Sequence, residues 1–171
     1  DKPLFTPGPL TTSPSVKGAM LRDLGSRDSE FIGAVAEIRT ELLRVAGATG
    51  EHEAILLQGS GTYCIEAMIS SCVPRDAGLL VCVNGAYGRR IVDIAAIHGV
   101  DVAVYEEAED EPIDALTLGH ILDADPALTH VAVVHCETTT GIMNPVEDIG
   151  AVVKARGATY LVDGMSAFGG V

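Results

Sequence analysis

After residue 53 the chain alternates between short apolar runs and longer amphipathic stretches. Residues 54–58, 79–83, 100–105, 131–135 and 159–162 are nearly continuous in aliphatic side chains, the pattern of strands covered on both faces. Helical spacing separates them over residues 62–73, 89–98 and 146–156, and over a shorter stretch that Asp114 or Thr117 caps and that ends near residue 124. Upstream, Ser13 and Pro14 open a helix over residues 15–24, with the proline near the first turn. A longer helix spans 29–46, where Phe31, Val35, Ile38, Leu42 and Val45 recur along one face. Strand–helix repetition with right-handed crossovers predicts an α/β fold: a three-layer, doubly wound, mostly parallel sheet. Residues 1–15, broken by prolines and a glycine, form an irregular arm. The pattern divides the chain into arm and first helix (1–28) and sheet-forming remainder (29–171).

Composition narrows the function. The chain has 171 residues, enough for one full core or for part of a larger protein, with 47% hydrophobic residues. Its net charge of −13 argues against nucleic acid or an anionic membrane surface as partner. The acidity concentrates at residues 106–111, read as a solvated loop. No apolar run has the length of a bilayer span, and the first residues lack a signal-peptide layout. Cys64, Cys72, Cys82 and Cys136 sit among apolar neighbours, which fits reduced, mostly buried thiols in a cytoplasmic protein. His130 and His135 lie an odd number of residues apart on one strand, so they face opposite sides and no metal site is expected from them.

The distinctive polar and glycine-rich segments fall where strands end: residues 59–62, 84–88, 137–141 and 163–166. In an open parallel sheet those ends converge on the ligand crevice. Gly59, Ser60, Gly61 and Thr62 run from an apolar stretch into a helix, aiming backbone N–H groups and two hydroxyls at one point. That is either a phosphate cradle or an ordinary turn with Ser60 as N-cap. A P-loop needs Gly-Lys-Ser/Thr, which does not follow Gly61. A dinucleotide site needs a third glycine where Cys64 stands and an acid where Asn84 stands. No glycine-flanked elbow surrounds Ser166, which disfavours a triad with His135 and Asp163. Asp163, at the mouth of an apolar core, calls for a cation or donor; a protonated pyridine nitrogen is one such partner, and a capping role is the other. Tyr87 between glycines can stack on a planar ring or pack its loop. Thr138, Thr139 and Thr140 can bond a ring substituent or cap their loop, and Cys136 reads as a passive thiol.

In combination, these segments resemble those of the 2-aminoethylphosphonate–pyruvate transaminases, within the class V aminotransferases of the fold type I pyridoxal-phosphate group. The likeness runs from Phe5 to Gly170. It rests on residues 6–12 (Thr-Pro-Gly-Pro-Leu-Thr-Thr), 25–28 (Gly-Ser-Arg-Asp), 57–62 (Leu-Gln-Gly-Ser-Gly-Thr), 83–88 (Val-Asn-Gly-Ala-Tyr-Gly), 135–141 (His-Cys-Glu-Thr-Thr-Thr-Gly) and 161–166 (Leu-Val-Asp-Gly-Met-Ser). The resemblance implies that Ser60, Gly61 and Thr62 hold the phosphate of pyridoxal 5'-phosphate and that Tyr87 stacks on its ring. Thr138 would stand near the phenolic oxygen, and Asp163 would pair with the ring nitrogen. The implied substrates are 2-aminoethylphosphonate and pyruvate, giving phosphonoacetaldehyde and alanine.

Residues 29–171 would then be the N-terminal part of the family's large domain. The Schiff-base lysine and the substrate-binding arginine fall outside these 171 residues, as Lys2, Lys17 and Lys154 occupy no matching position. Gly164 also stands where alanine or serine is usual. Alone, the chain is expected to be inactive and prone to associate, with a homodimer partner or a companion C-terminal chain completing it. The competing readings are an alanine–glyoxylate or serine–pyruvate transaminase, an aminophosphonate lyase, and a non-catalytic remnant that binds a phosphate ligand or a partner.

Overall fold

The computed structural model describes residues 2–6, 10–48 and 50–170, and the chain divides into two compact units. Residues 1–58 with 168–171 form one, and residues 59–167 the other. Part of the predicted arm, Asp1 and residues 7–9, lies outside the described residues, as do Thr49 and Val171.

The first unit holds α1 (Pro14–Ala19) and α2 (Ser29–Val45). Ser13 caps α1 as expected, its hydroxyl accepting from the Val16 amide, but the helix ends at Ala19 rather than 24. A glycine at position 18 in its last turn weakens continuation. Arg22 pairs with Glu30 at 2.8 Å, and Arg39 donates to the Ala54 carbonyl at 2.7 Å. Residues 54–58 do not form the first strand that their apolar content predicted. They run without ladder partners among the described residues, and Ile55 is 79% exposed. A strand exists through pairing, and an apolar run alone does not supply it.

The second unit follows the alternation: α3 (Gly61–Cys72), β1 (Gly78–Val83), α4 (Ala86–Ile97), β2 (Asp101–Glu106), α5 (Ala115–Ala124), β3 (Leu128–Val134), α6 (Val146–Ala155) and β4 (Thr159–Asp163). Asp114, not Thr117, caps α5; its carboxylate accepts from the Thr117 amide at 2.7 Å, and hydrogen bonding to the Thr117 hydroxyl, then to that amide, holds its pKa below the usual carboxylate range. All named pairs are parallel, in the order β2-β1-β3-β4. The chain therefore winds outward from β1 to β2, then crosses back over β1 to β3 and outward to β4. The switch in direction lies between β1 and β3, where the parallel-sheet rule places ligands.

Alternation along the strands builds a core on each face of the sheet. Leu79, Val81 and Val83 of β1 join Ala132 and Val134 of β3 under Ile65 and Ile69 of α3 and Ile91, Ile94 and Ala95 of α4. Leu80, Cys82, Val131 and Val133 face the other way, under Leu118 and Leu122 of α5 and Ile149 and Val153 of α6. Gly78 brings β1 against its neighbour, since a Cβ there would stand 2.6 Å from the Ala127 carbonyl oxygen.

The second of these cores carries a pH signature. Burial pushes the Cys82 thiol up to about 12. Burial, then its bond to Glu107, pushes the Tyr105 phenol up to about 12 as well. Folded values above the unfolded ones mean that the stabilisation is fully present below the unfolded values and is lost as pH rises through the folded ones. We expect the urea midpoint to fall between pH 9 and 12, with Cys82 contributing at most about 1.4 kcal/mol per pH unit. Cys82→Ala should flatten its share of that slope; an unchanged slope would remove the thiol as its source.

Candidate active site

The four segments singled out in the sequence are brought together at the C-terminal edge of the second unit's sheet. Gly59, with φ of 137°, turns the chain into α3 in a backbone region open to glycine. Ser60 is the N-cap, its hydroxyl accepting weakly from the Tyr63 amide at 3.4 Å. Gly61 and Thr62 open the first turn, so their amides belong to the set that no helical carbonyl satisfies. A Cβ on Gly61 would stand 3.1 Å from the Met165 sulfur, which puts the loop after β4 against the start of α3.

Asp163 ends β4, opposite Val134, and is half-buried. Its Oδ1 accepts from the Met165 amide at 3.0 Å, and its carbonyl accepts from the His135 amide at 2.9 Å. The capping role weighed for this residue is therefore present, and it occupies one carboxylate oxygen. Thr138 lies beyond β3, with its hydroxyl bonded to that of Ser166. Tyr87 sits in the first turn of α4, and the Arg90 guanidinium lies over its ring at 4.7 Å. Arg90 also donates to the Thr62 hydroxyl at 3.2 Å.

These contacts form a circuit. Thr62 touches Arg90, Arg90 touches Tyr87, and the backbone of Tyr87 meets Glu137 beside Thr138; Thr138 bonds Ser166 next to Met165, and Met165 returns to Gly61. A cationic guanidinium, several hydroxyls and the start of a helix on one side suit an anion. A tyrosine ring and a carboxylate on the others suit a planar, protonated heterocycle.

Three polar side chains here were given no role of their own in the sequence reading. Asn84 and Asn144 exchange side-chain hydrogen bonds of 2.9 and 3.1 Å while both are buried. Asn144 also donates to the Val134 carbonyl and accepts from the Ile113 amide. Glu137 is fully buried. Glu137, following an apolar strand, and Asn144, before Pro145, were visible in the sequence, but their partners lie up to 60 residues away. Arg90 was likewise unremarkable as one of two consecutive arginines on a helix.

Comparisons with known proteins identify the family. Residues 12–171 match the model of the aminotransferase class-V family. The chain is 50% identical, over 98% of its length, to 2-aminoethylphosphonate–pyruvate transaminase 1 of Paraburkholderia xenovorans, of which it covers 43%. The same identity and coverage hold for 2-aminoethylphosphonate–pyruvate transaminase of Rhizobium meliloti, of which it covers 44%. The chain thus spans a little under half the length of these relatives. Among solved structures, alanine–glyoxylate aminotransferase from Nostoc superposes with a TM-score of 0.90 at 32% identity, over 97% of this chain and 44% of that one. Pyridoxamine–pyruvate aminotransferase from Mesorhizobium loti gives 0.91 at 28% identity, over 100% and 44%. With this sheet, this edge and these relatives, the chain belongs to the class V aminotransferases.

Proposed function

We propose that these residues are the N-terminal part of a pyridoxal-phosphate-dependent aminotransferase. The complete enzyme moves the amino group of 2-aminoethylphosphonate to pyruvate, yielding phosphonoacetaldehyde and L-alanine. Residues 1–28 are its arm and first helix, and 29–171 belong to its large domain; the covalent lysine and the substrate-binding arginine come from the remaining length. The observation that carries the cofactor reading is the circuit of contacts from Thr62 through Arg90 and Tyr87 to the Thr138 loop and back through Met165. The choice of amino donor rests on likeness to the two named relatives.

The donor set fits the cofactor. Ser60, Gly61 and Thr62 offer amides and hydroxyls to a phosphate at the head of α3. Tyr87 presents a ring and Thr138 a hydroxyl to the planar group. When bound, pyridoxal phosphate supplies the electron sink that makes amino-group exchange possible. Asp163 holds a proton on the pyridine nitrogen and so strengthens that sink, while its other oxygen stays fixed by the Met165 amide. Small soluble substrates support a cytoplasmic enzyme, and the family resemblance supports a homodimer.

The test is a donor panel on the full-length protein. 2-Aminoethylphosphonate with pyruvate should form alanine and phosphonoacetaldehyde in equal amounts, at least tenfold faster than alanine or serine donates to glyoxylate. The reverse ranking would favour the alanine–glyoxylate reading, which the Nostoc neighbour supports. Ser60→Ala and Thr62→Ala should each weaken cofactor affinity by about tenfold, near the value of one hydrogen bond to a charged group. Equilibrium dialysis reads this directly, and unchanged affinity in both would remove the phosphate from the head of α3.

A further inference from the structure

Glu137 has no part in the chemistry above, yet among the described residues it is the most buried charged side chain, at 0% exposure. A carboxylate so placed costs several kcal/mol unless donors replace its water. Four protein donors do. Oε2 accepts from the Tyr87 amide at 3.2 Å and the Gly88 amide at 3.3 Å. Oε1 accepts from the Thr139 hydroxyl at 2.9 Å and the Thr139 amide at 3.3 Å, and lies 3.3 Å from the Tyr87 amide as well.

Tyr87 and Gly88 are the second and third residues of α4, the positions whose amides a helix-capping side chain normally satisfies. The residue that should supply that cap is Gly85, which has no side chain. Glu137 takes its place from 49 and 50 residues away, with a charge that suits the helix N-terminus. Gly85 is the room it needs, since a Cβ there would stand 2.2 Å from Glu137 Cγ.

We propose that Glu137 is a positioning residue that sets the Tyr87 ring against the cofactor. It fixes the peptide from which the ring projects and, through Thr139, the loop that carries Thr138. One carboxylate thereby sets two walls of the site across the β1–β3 switch point. Arg90 occupies one face of the Tyr87 ring, so a stacked heterocycle takes the other. This inference rests on the pyridoxal-phosphate reading of the site.

The experiment uses the full-length protein, with amide exchange measured before cofactor is added and visible circular dichroism after. Glu137→Ala should speed exchange at Tyr87 and Gly88 at least tenfold, weaken cofactor affinity at least tenfold, and lose more than half of the visible ellipticity of the bound cofactor. Glu137→Gln should stay within threefold of wild type in affinity, because its carbonyl can accept from both α4 amides while its NH2 donates to the Thr139 hydroxyl. In a Tyr87→Ala background, Glu137→Ala should weaken affinity by less than it does in the wild type, because only the Thr138 loop is then left for it to set. Should Glu137→Ala fail to fold, Glu137→Asp withdraws the oxygens by one methylene and carries the same expectations. Wild-type exchange at Tyr87 and Gly88, or a full second loss of affinity in the Tyr87→Ala background, overturns the proposal. A wild-type protein that binds no pyridoxal phosphate overturns the underlying reading instead, and the exchange data identify that case because they need no cofactor.

Discussion

We expect Asp163→Asn to lower turnover of the proposed full-length aminotransferase by about a thousandfold, equivalent to roughly 4 kcal/mol of transition-state stabilisation. Asparagine separates the turn-forming bond this side chain makes from the ring-nitrogen pairing proposed for it. Its Oδ1 accepts from the Met165 amide at 3.0 Å, a bond that an asparagine carbonyl reproduces. The turn after β4 should therefore survive, and with it the contact between Met165 and Gly61. What asparagine does not supply is the negative charge that keeps a proton on a pyridine nitrogen. The loss should appear in kcat, with cofactor affinity changed by less than about tenfold, because the phosphate contacts proposed at α3 would be untouched. Asp163→Ala should add a loss of stability by removing the turn. A variant within tenfold of wild-type turnover would reduce Asp163 to a turn-forming residue and remove the ring-nitrogen pairing.

Gly85→Ala should destabilise the fold by about 3 kcal/mol or more, an effect usually confined to core overpacking. The added Cβ would meet Glu137 Cγ at 2.2 Å, Cδ at 2.5 Å and Oε2 at 2.9 Å. A flexible surface side chain would swing away; this one is fully buried and held by Tyr87, Gly88 and Thr139. Backbone strain has no share in the effect, since φ at Gly85 is 170°, an extended conformation open to any residue. Urea unfolding followed by far-UV circular dichroism measures the change. A midpoint within 0.5 kcal/mol of wild type would mean that the carboxylate has somewhere else to go.

The parts of this fold that were legible in the sequence are those set by local pattern. β1 and β3 are legible from the aliphatic runs 79–81 and 131–134 within them, because both their faces are covered. Ser13 and Asp114 were readable as caps because each bonds an amide three residues on. The misreadings share a different cause. α4 was expected from residue 89, because Gly85 and Gly88 look like loop residues; it begins at Ala86, since its cap arrives from another strand's end. Residues 54–58 look like β1 and β3 in composition, but pairing is decided by neighbours in space. For the site, Tyr87 and Asp163 stood out by placement after apolar strands, Ser60 by its flanking glycines, and Thr138 by the family resemblance. Arg90, Glu137 and the Asn84–Asn144 pair did not, because their roles are defined by partners far along the chain.

That separation in sequence has a consequence for synthesis. A chain leaving the ribosome carries α3, β1 and α4 long before Glu137 and Asn144 emerge. Until then α4 lacks its cap and Asn84 lacks its partner, so the first turn holding Tyr87 is the loosest part of an otherwise formed β1–α4 hairpin of elements. Long-range closure is slow compared with local helix formation. The proposed cofactor cleft is therefore among the last features of this unit to set during translation, and ribosome pausing shortly before residue 137 would leave nascent chains without α6, β4 or the cap of α4, with both the core and the site open.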